Sequence, residues 1–320
     1  MYDILTIGEI LVEILAEQTD QSLDRPGVLL GPYPSGAPAI FIDQAARMGA
    51  KCAIIAKTGR DDFASLNIER LRGDGVDVSH ILQTPDNTTG VAFVTYFSDG
   101  SRKFIFHFTH AACGELAPKD VDLSLIGSAR YLHVMGCSIT GSPSMGEAIL
   151  RAVELAAEQG VQVSFDPNIR PELLSGKITA YYQAILNRCD VLLTGKSELS
   201  LIVPGETDPV AALLAGKDRL IVVKDGGRGT TVYTRDTALR CAAYPAREVD
   251  PTGAGDCFDA TFLAGLCRGL SLEDCLKTAN AAGAKAVEKR GPMEGNTTRD
   301  ELAAFMASCP APKLEVLPVR

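Results

Sequence analysis

The chain has 320 residues, 46% of them hydrophobic and 22% charged, a globular composition long enough for one large domain, or one with an appendage. Its net charge of −9 repels phosphate backbones and argues against a nucleic-acid partner. No apolar run approaches the ~20 residues that span a bilayer, so no membrane partner is expected.

Residues 1–10 carry Asp3 and Glu9 and no basic residue, which argues against a cleaved leader. The nine cysteines are scattered without a C-x-x-C pair, a pattern of reduced thiols that points to the cytoplasm. His107 and His110 form an isolated H-x-x-H, a weak metal signal, and no zinc ligand set accompanies it.

In chain order, residues 2–8 read as a buried strand, 9–16 alternate partly, and 28–33 are short and apolar. Ser35-Gly36-Ala37-Pro38-Ala39 turns into a helix to about Met48, with Ile40, Phe41, Ala45 and Met48 inward. A strand over 52–56 and a helix over 61–71 complete a β-α-β rhythm, the mark of a parallel sheet. From Thr89 the rhythm breaks. Residues 90–97 and 102–108 read as a hairpin around Ser98-Asp99-Gly100-Ser101. With 11–15 and 28–33 they suggest a small sheet over the main one, and residues of about 10–34 and 89–110 form this expected lid. The α/β rhythm then resumes, with strands over 131–134, 161–165, 191–194 and 220–223 and helices over 145–158 and 178–188. A β-type segment over 242–249 precedes the last motif, and helices follow over 272–289 and 299–307.

That last motif is Val249-Asp250-Pro251-Thr252-Gly253-Ala254-Gly255-Asp256-Cys257-Phe258-Asp259. It reads as a glycine turn feeding a helix, since Phe258, Phe262, Leu263 and Leu266 recur at helical spacing. Glycines let backbone N–H groups cluster, and the helix dipole favours an anion there. Asp256 beside such a site suits a base for a hydroxyl that attacks the anion. Asp259 is the rival; its simpler reading is a first-turn carboxylate favoured by the dipole. No G-x-x-x-x-G-K-[ST] and no strand-following G-x-G-x-x-G occurs, so neither a P-loop nor a dinucleotide fold is supported. Gly226-Gly227-Arg228-Gly229 by itself reads as a hairpin between 221–223 and 230–233.

The motif resembles the D-T-x-G-A-G-D-x-F signature of the ribokinase-like (PfkB) carbohydrate kinases, with Pro251 in place of the first Thr. The resemblance covers nearly the whole chain. It implies a single domain over 1–320: a three-layer α/β/α core with a mostly parallel central sheet plus a small β-sheet lid. It further implies transfer of the γ-phosphoryl group of ATP to a sugar hydroxyl, with Asp256 as base and the amides of Gly253, Ala254 and Gly255 as the anion site.

Other positions follow from the same resemblance. Ser35 to Met48-Gly49 is similar to the first family signature, with Gly36 and Ala37 at the substrate; Ile40 stands where the family has Asn and reads as core packing. Glu13 stands where the family has a sugar-binding Asp; it is either that ligand or a solvated strand residue. Asp166-Pro167-Asn168-Ile169-Arg170 resembles D-x-N-x-R, which puts Asn168 at ATP and Arg170 on a phosphate or a substrate carboxylate. Glu198 matches N-x-x-E and would hold Mg²⁺ through water; Gly195 replaces the Asn, and Lys196 could reach a nucleotide phosphate instead. Lys224, Gly226 and Gly229 resemble the nucleotide loop, and Asn280 the adenine-side helix. A monovalent cation, potassium, would take the Asp250 side chain and the carbonyls of Thr252, Ala286, Lys289 and Gly291.

Phe93, Phe104 and Phe106 would cover the sugar. The run Phe106 to His110 lacks the Arg with which kinases of 2-keto-3-deoxygluconate often hold the acid, which favours a neutral ribose- or fructose-like sugar, although Arg102 or Arg170 could take a carboxylate. The alternatives are a 2-keto-3-deoxygluconate or nucleoside kinase, or a non-catalytic sugar- or nucleotide-binding relative. Family members also suggest a homodimer through the lid.

Overall fold

The computed structural model describes residues 1–169 and 176–318. Its strands, in chain order, are β1 (Tyr2–Ile7), β2 (Leu11–Ala16), β3 (Leu29–Ser35), β4 (Cys52–Thr58), β5 (Ile81–Gln83), β6 (Gly90–Tyr96), β7 (Arg102–His107), β8 (Ala129–Met135), β9 (Gln162–Asp166), β10 (Val191–Gly195), β11 (Leu220–Lys224), β12 (Thr230–Tyr233), β13 (Ala238–Cys241) and β14 (Leu314–Leu317).

The large sheet has the order β14-β13-β12-β11-β10-β9-β8-β1-β4-β5. From β5 to β11 neighbours pair in parallel, and β12, β13 and β14 continue it antiparallel. Helices cover both faces, which is why β1 is a continuous buried run rather than an alternating one. Successive side chains still divide between the faces. Leu5 and Ile7 join Ala148, Ile149 and Ala152 of the Pro143–Glu158 helix. Ile4 joins Phe41 of the Ala37–Arg47 helix and Phe262 and Leu263 of the Ala254–Cys267 helix. Within this core His133 on β8 stacks on Phe41 with centroids 3.7 Å apart, and its Nδ1 lies 3.0 Å from Ser164 Oγ. Complete burial pulls its imidazole down to about 3.

The small sheet has the order β3-β2-β6-β7. β2 and β6 pair in parallel and β6 and β7 as a hairpin, with Gly100 at φ +83° in the turn. Asn67 of the Asp62–Gly73 helix ties it down: its Oδ1 accepts from Ser35 N and its Nδ2 donates to the Leu11 carbonyl.

The sequence reading is corrected at residues 242–249, which form no strand. The paired segment is β13, just upstream, and Pro245 lacks the N–H that a ladder needs. Among the described residues no helix is long and apolar enough to cross a membrane.

Candidate active site

In a parallel sheet, ligands gather at the carboxyl ends of the strands. Here those ends supply Glu9 after β1, Asp166 and Asn168 at β9, Gly195 and Glu198 at β10 and Lys224 at β11. All of them line one cavity of about 240 Å³, together with Gly36, Ala37, Gly253, Gly255 and Asp256.

The turn before the Ala254–Cys267 helix forms the cavity floor. Gly253 is its N-cap at φ 80°, ψ −8°, a left-handed conformation that glycine alone adopts freely. A Cβ there would lie 2.4 Å from the Pro292 carbonyl oxygen. The turn is pinned by Asp250, which is 1% exposed. Its Oδ1 accepts from Thr252 N at 2.9 Å; its Oδ2 accepts from Tyr96 Oη at 2.8 Å and Gly291 N at 3.0 Å. Burial, and then the charge of Asp250, raises the Tyr96 phenol above its usual range. Ala254 N makes a long 3.4 Å bond to the Pro251 carbonyl, whereas the N–H groups of Gly253 and Gly255 take no partner among the described residues. Helix start, open amides and dipole together make an anion site.

Behind this turn stands a buried charge cluster. Lys224 Nζ lies 3.0 Å from Asp166 Oδ2 and 2.9 and 2.8 Å from the two oxygens of Asp259. Burial opposes the lysine's charge, but the two carboxylates outweigh it and keep Lys224 protonated. Burial raises Asp259 well above the carboxylate range; Asp166 is also buried, but Lys224 and its hydrogen bonds hold it low. Asp259 is therefore a buried structural partner of Lys224 and not the first-turn dipole carboxylate that the sequence suggests. A Cβ on Gly255 would lie 3.7 Å from Lys224 Nζ, so the ammonium sits directly beneath the anion site.

Glu198 folds back on the backbone. Its Oε1 accepts from Ile169 N at 2.6 Å, and its Oε2 from Gly195 N at 2.7 Å and Thr194 Oγ1 at 3.2 Å. This explains Gly195, where a Cβ would press on Oε2 at 3.0 Å. Burial, and then Asp166, raises the Glu198 carboxyl. Oε1 keeps one acceptor position for a metal-bound water, so the residues fit an outer-sphere role toward Mg²⁺. Asn168 follows at φ 38° with its N–H on Asp166 Oδ1. Arg170 lies outside the described residues.

At the other end of the cavity Glu13, 6% exposed, accepts from Ser35 Oγ at 2.7 Å, which settles it as a buried cavity carboxylate and not a solvated one. Gly36 adopts φ 110°, and a Cβ there would meet the Glu9 carbonyl at 2.5 Å. Ile40 is 2% exposed and packs its Cγ2 toward Gly253.

The remaining predicted positions lie around the rim. Lys196 Nζ is exposed and pairs with Asp225 at 3.1 Å, beside the loop of Gly226 to Gly229. That loop joins β11 to β12 as an antiparallel pair. Asn280 is buried; Oδ1 accepts from Thr230 Oγ1 and Nδ2 donates to the carbonyls of Cys241 and Ala242. It lines a second cavity of about 470 Å³ shared with Gly226, Phe258 and Gly283. The segment that carries Lys289 and Gly291 packs on Asp250, since the Val287 carbonyl accepts from Val249 N and Asp250 N. Ala286, at the end of the Leu272–Ala286 helix, turns its carbonyl toward Gly295. Among the described residues Asp250 Oδ1 has a single donor, Thr252 N, and so retains capacity for a monovalent cation.

The lid contributes Phe104, Phe106 and Phe108 to the cavity, but not Phe93. Phe93 pairs with Ile105 and lies edge-on to His107, on the opposite face of the small sheet. Two lid side chains reach the anion turn: Tyr96, which the sequence reading left out of the site, on Asp250, and Arg102, which it named only for a substrate carboxylate and whose Nη1 donates to Thr252 Oγ1 at 3.0 Å. The strict alternation along β7, with 102, 104 and 106 more covered than 103, 105 and 107, is the signal that marks Arg102 as inward.

Known proteins match this fold over nearly its whole length. Residues 1–299 match the pfkB family of carbohydrate kinases. Fructokinase-1 of Oryza sativa subsp. japonica is 30% identical over 317 residues, 95% of this chain and 98% of its own. An E. coli protein provisionally described as ribokinase II is 41% identical in its apo structure, with a TM-score of 0.93 over 96% of this chain and 100% of that one. Its complex with ATP and Mg²⁺ gives 42% and 0.91, again over 96% and 100%. With the glycine turn, the parallel sheet and the lid in place over this length, the chain belongs to the pfkB family of carbohydrate kinases.

Proposed function

We propose that this ATP-dependent sugar kinase acts on a small neutral sugar of the fructose type, with Asp256 as its general base, as one ribokinase-like unit under a lid formed by about 10–34 and 89–110. The observation that carries the reading is that the Asp256 carboxylate and the open N–H groups of Gly253 and Gly255 line the same cavity. Asp256 takes the proton of the attacking hydroxyl. The amides of the turn, with the Ala254 N–H once its long bond to Pro251 yields, meet charge that develops on the transferring group. Mg²⁺, when bound with ATP, neutralises phosphate charge, and Glu198 would hold it through water. Lys224, Gly226, Gly229, Asn168 and Lys196 border the nucleotide side, and the second cavity beside Asn280 is the place for the base. Glu13, Gly36, Ala37 and Arg170 are the proposed sugar side. Phe104 and Phe106 exclude water, which would otherwise accept the phosphoryl group. Potassium at Asp250, a homodimer through the lid and a cytoplasmic location complete the reading.

The neutral sugar is supported by the fructokinase relatives. The test is ADP release from Mg-ATP against a panel of pentoses, hexoses and sugar acids. Release with fructose or ribose well above that with any acid is expected. ADP release that no sugar stimulates, together with thermal stabilisation by sugars, would make the protein a binding relative instead.

A further inference from the structure

Arg102 opens β7 at the tip of the lid hairpin, directly opposite Tyr96. Residues opposite one another in an antiparallel pair project to the same face, and both of these reach the same target. Tyr96 Oη donates to Asp250 Oδ2 and lies 3.3 Å from Thr252 Oγ1, and Arg102 Nη1 donates to that same Thr252 oxygen at 3.0 Å. Thr252 immediately precedes Gly253, so a guanidinium borne by the lid stands at the edge of the anion site, in the cavity of Gly253, Gly255 and Asp256. It packs 5.7 Å from the centre of the Phe104 ring, which fixes its approach.

The charges around it say what it is for. Lys224, another cation in the cavity, is saturated by Asp166 and Asp259. Arg102 pairs with no carboxylate among the described residues, although several line the same space, and Thr252 is its one hydrogen-bond partner there. Most of its five N–H donors are therefore open to an anion.

We propose that Arg102 is a catalytic residue delivered by the lid, whose open N–H groups take oxygens of the transferring phosphoryl group opposite the Gly253 and Gly255 amides. The proposal rests on the kinase reading above. In the step, the acceptor oxygen bonds to the γ-phosphorus and its proton passes to Asp256. The bond from that phosphorus to the β–γ bridging oxygen breaks, and its electron pair leaves on ADP. The planar guanidinium fork matches paired phosphoryl oxygens. Because Tyr96 and Arg102 leave the turn together when the lid lifts, the anion site is complete only when closed, which restrains hydrolysis of ATP by water.

The test compares wild-type, Arg102→Ala, Arg102→Lys and Tyr96→Phe proteins with Mg-ATP and the best acceptor of the panel, after thermal unfolding has confirmed that each folds. Arg102→Ala should lower kcat by about 10²–10³-fold, the worth of one positioned donor to developing charge, with the sugar KM within about threefold. Added guanidinium chloride at low millimolar concentration should restore part of that kcat in Arg102→Ala and none in Arg102→Lys. A raised sugar KM with kcat kept would overturn the proposal in favour of a substrate clamp. Equal losses in Tyr96→Phe and Arg102→Ala without guanidinium rescue would overturn it in favour of a mechanical latch. A wild-type protein that releases no ADP with any sugar fails the kinase reading itself, and the role of Arg102 with it.

Discussion

Lys224 Nζ sits 2.8 Å from Asp259 Oδ2, a carboxylate with no exposed side-chain surface, and 3.0 Å from Asp166 on its other side. One cation thus joins the end of β11 to the end of β9 and to the second turn of the Ala254–Cys267 helix. Removing one member of a buried ion pair costs about 3–5 kcal/mol, because the other charge is left without compensation. Lys224→Met is expected to lose stability on that scale in urea unfolding. Asp259→Asn, which leaves Lys224 its Asp166 partner, should cost less, and Lys224→Met combined with Asp259→Leu should recover part of the loss. A single lysine variant as stable as wild type would show that the cluster is not a structural clamp.

Asp256→Asn keeps the shape of the side chain but removes the proposed base. Turnover should fall about 10²–10⁴-fold, while binding of Mg-ATP, followed by calorimetry, stays close to wild type. Near-full turnover would move the base elsewhere.

Two glycines of one turn should answer alanine in opposite ways. At Gly253 the left-handed backbone alone costs about 1–2 kcal/mol, and the new methyl would strike the Pro292 carbonyl. Gly255 lies in the helix at an ordinary φ, and its nearest foreign atom is 3.7 Å away. There alanine should hold or raise stability, by up to ~1 kcal/mol. Paired thermal melts read the contrast directly.

His133 gives a pH signature with a definite sign. Its folded value near 3 lies below the ordinary value of about 6.5. The unfolded chain therefore takes a proton that the folded chain refuses, and stability is lost as pH falls from about 6.5 toward 3. The slope is up to ~1.4 kcal/mol per pH unit. Asp43 works the other way, since burial raises it to about 6 and its contribution is lost as pH rises through that value. Wild type and His133→Gln both keep Asp43, so the difference between them isolates the histidine. That difference should narrow by about 1 kcal/mol between pH 6 and pH 5. A constant difference would mean that the imidazole is not held neutral.

What the sequence made legible was local. The turn around Gly253, the helix after it and the β-α-β rhythm each depend on neighbours a few positions apart, and they stand as read. Long-range juxtaposition was not legible. Tyr96 and Arg102 reach Asp250 and Thr252 across separations of 154 and 150 positions. Asp259 looked like a dipole carboxylate because its cation arrives from another strand. Alternation along β6 gives a period but not which face turns inward, so Phe93 was assigned to the wrong side; the register with Ile105 decides it. Residues 242–249 have β-type composition, yet Pro245 lacks a ladder donor and the segment forms no strand, bonding among the described residues only at its ends, Ala242 N to the Lys313 carbonyl and Val249 N to the Val287 carbonyl.

The small sheet is threaded by chain that leaves the large one after Ile7, returns at Ser35, leaves again after Gln83 and returns after His107. Four tethers along one border permit a swing about a line and resist sliding. The hairpin tip at Tyr96 and Arg102 stands six residues beyond Gly90, roughly 20 Å at about 3.3 Å per residue. On that lever a tilt of about 20° carries the tip some ~7 Å but Glu13, level with Ala92 and two residues beyond Gly90, only about 2 Å. Opening would thus part Arg102 from the turn of Gly253 by about three times the distance that it shifts Glu13, so the two ends of the cavity open unequally.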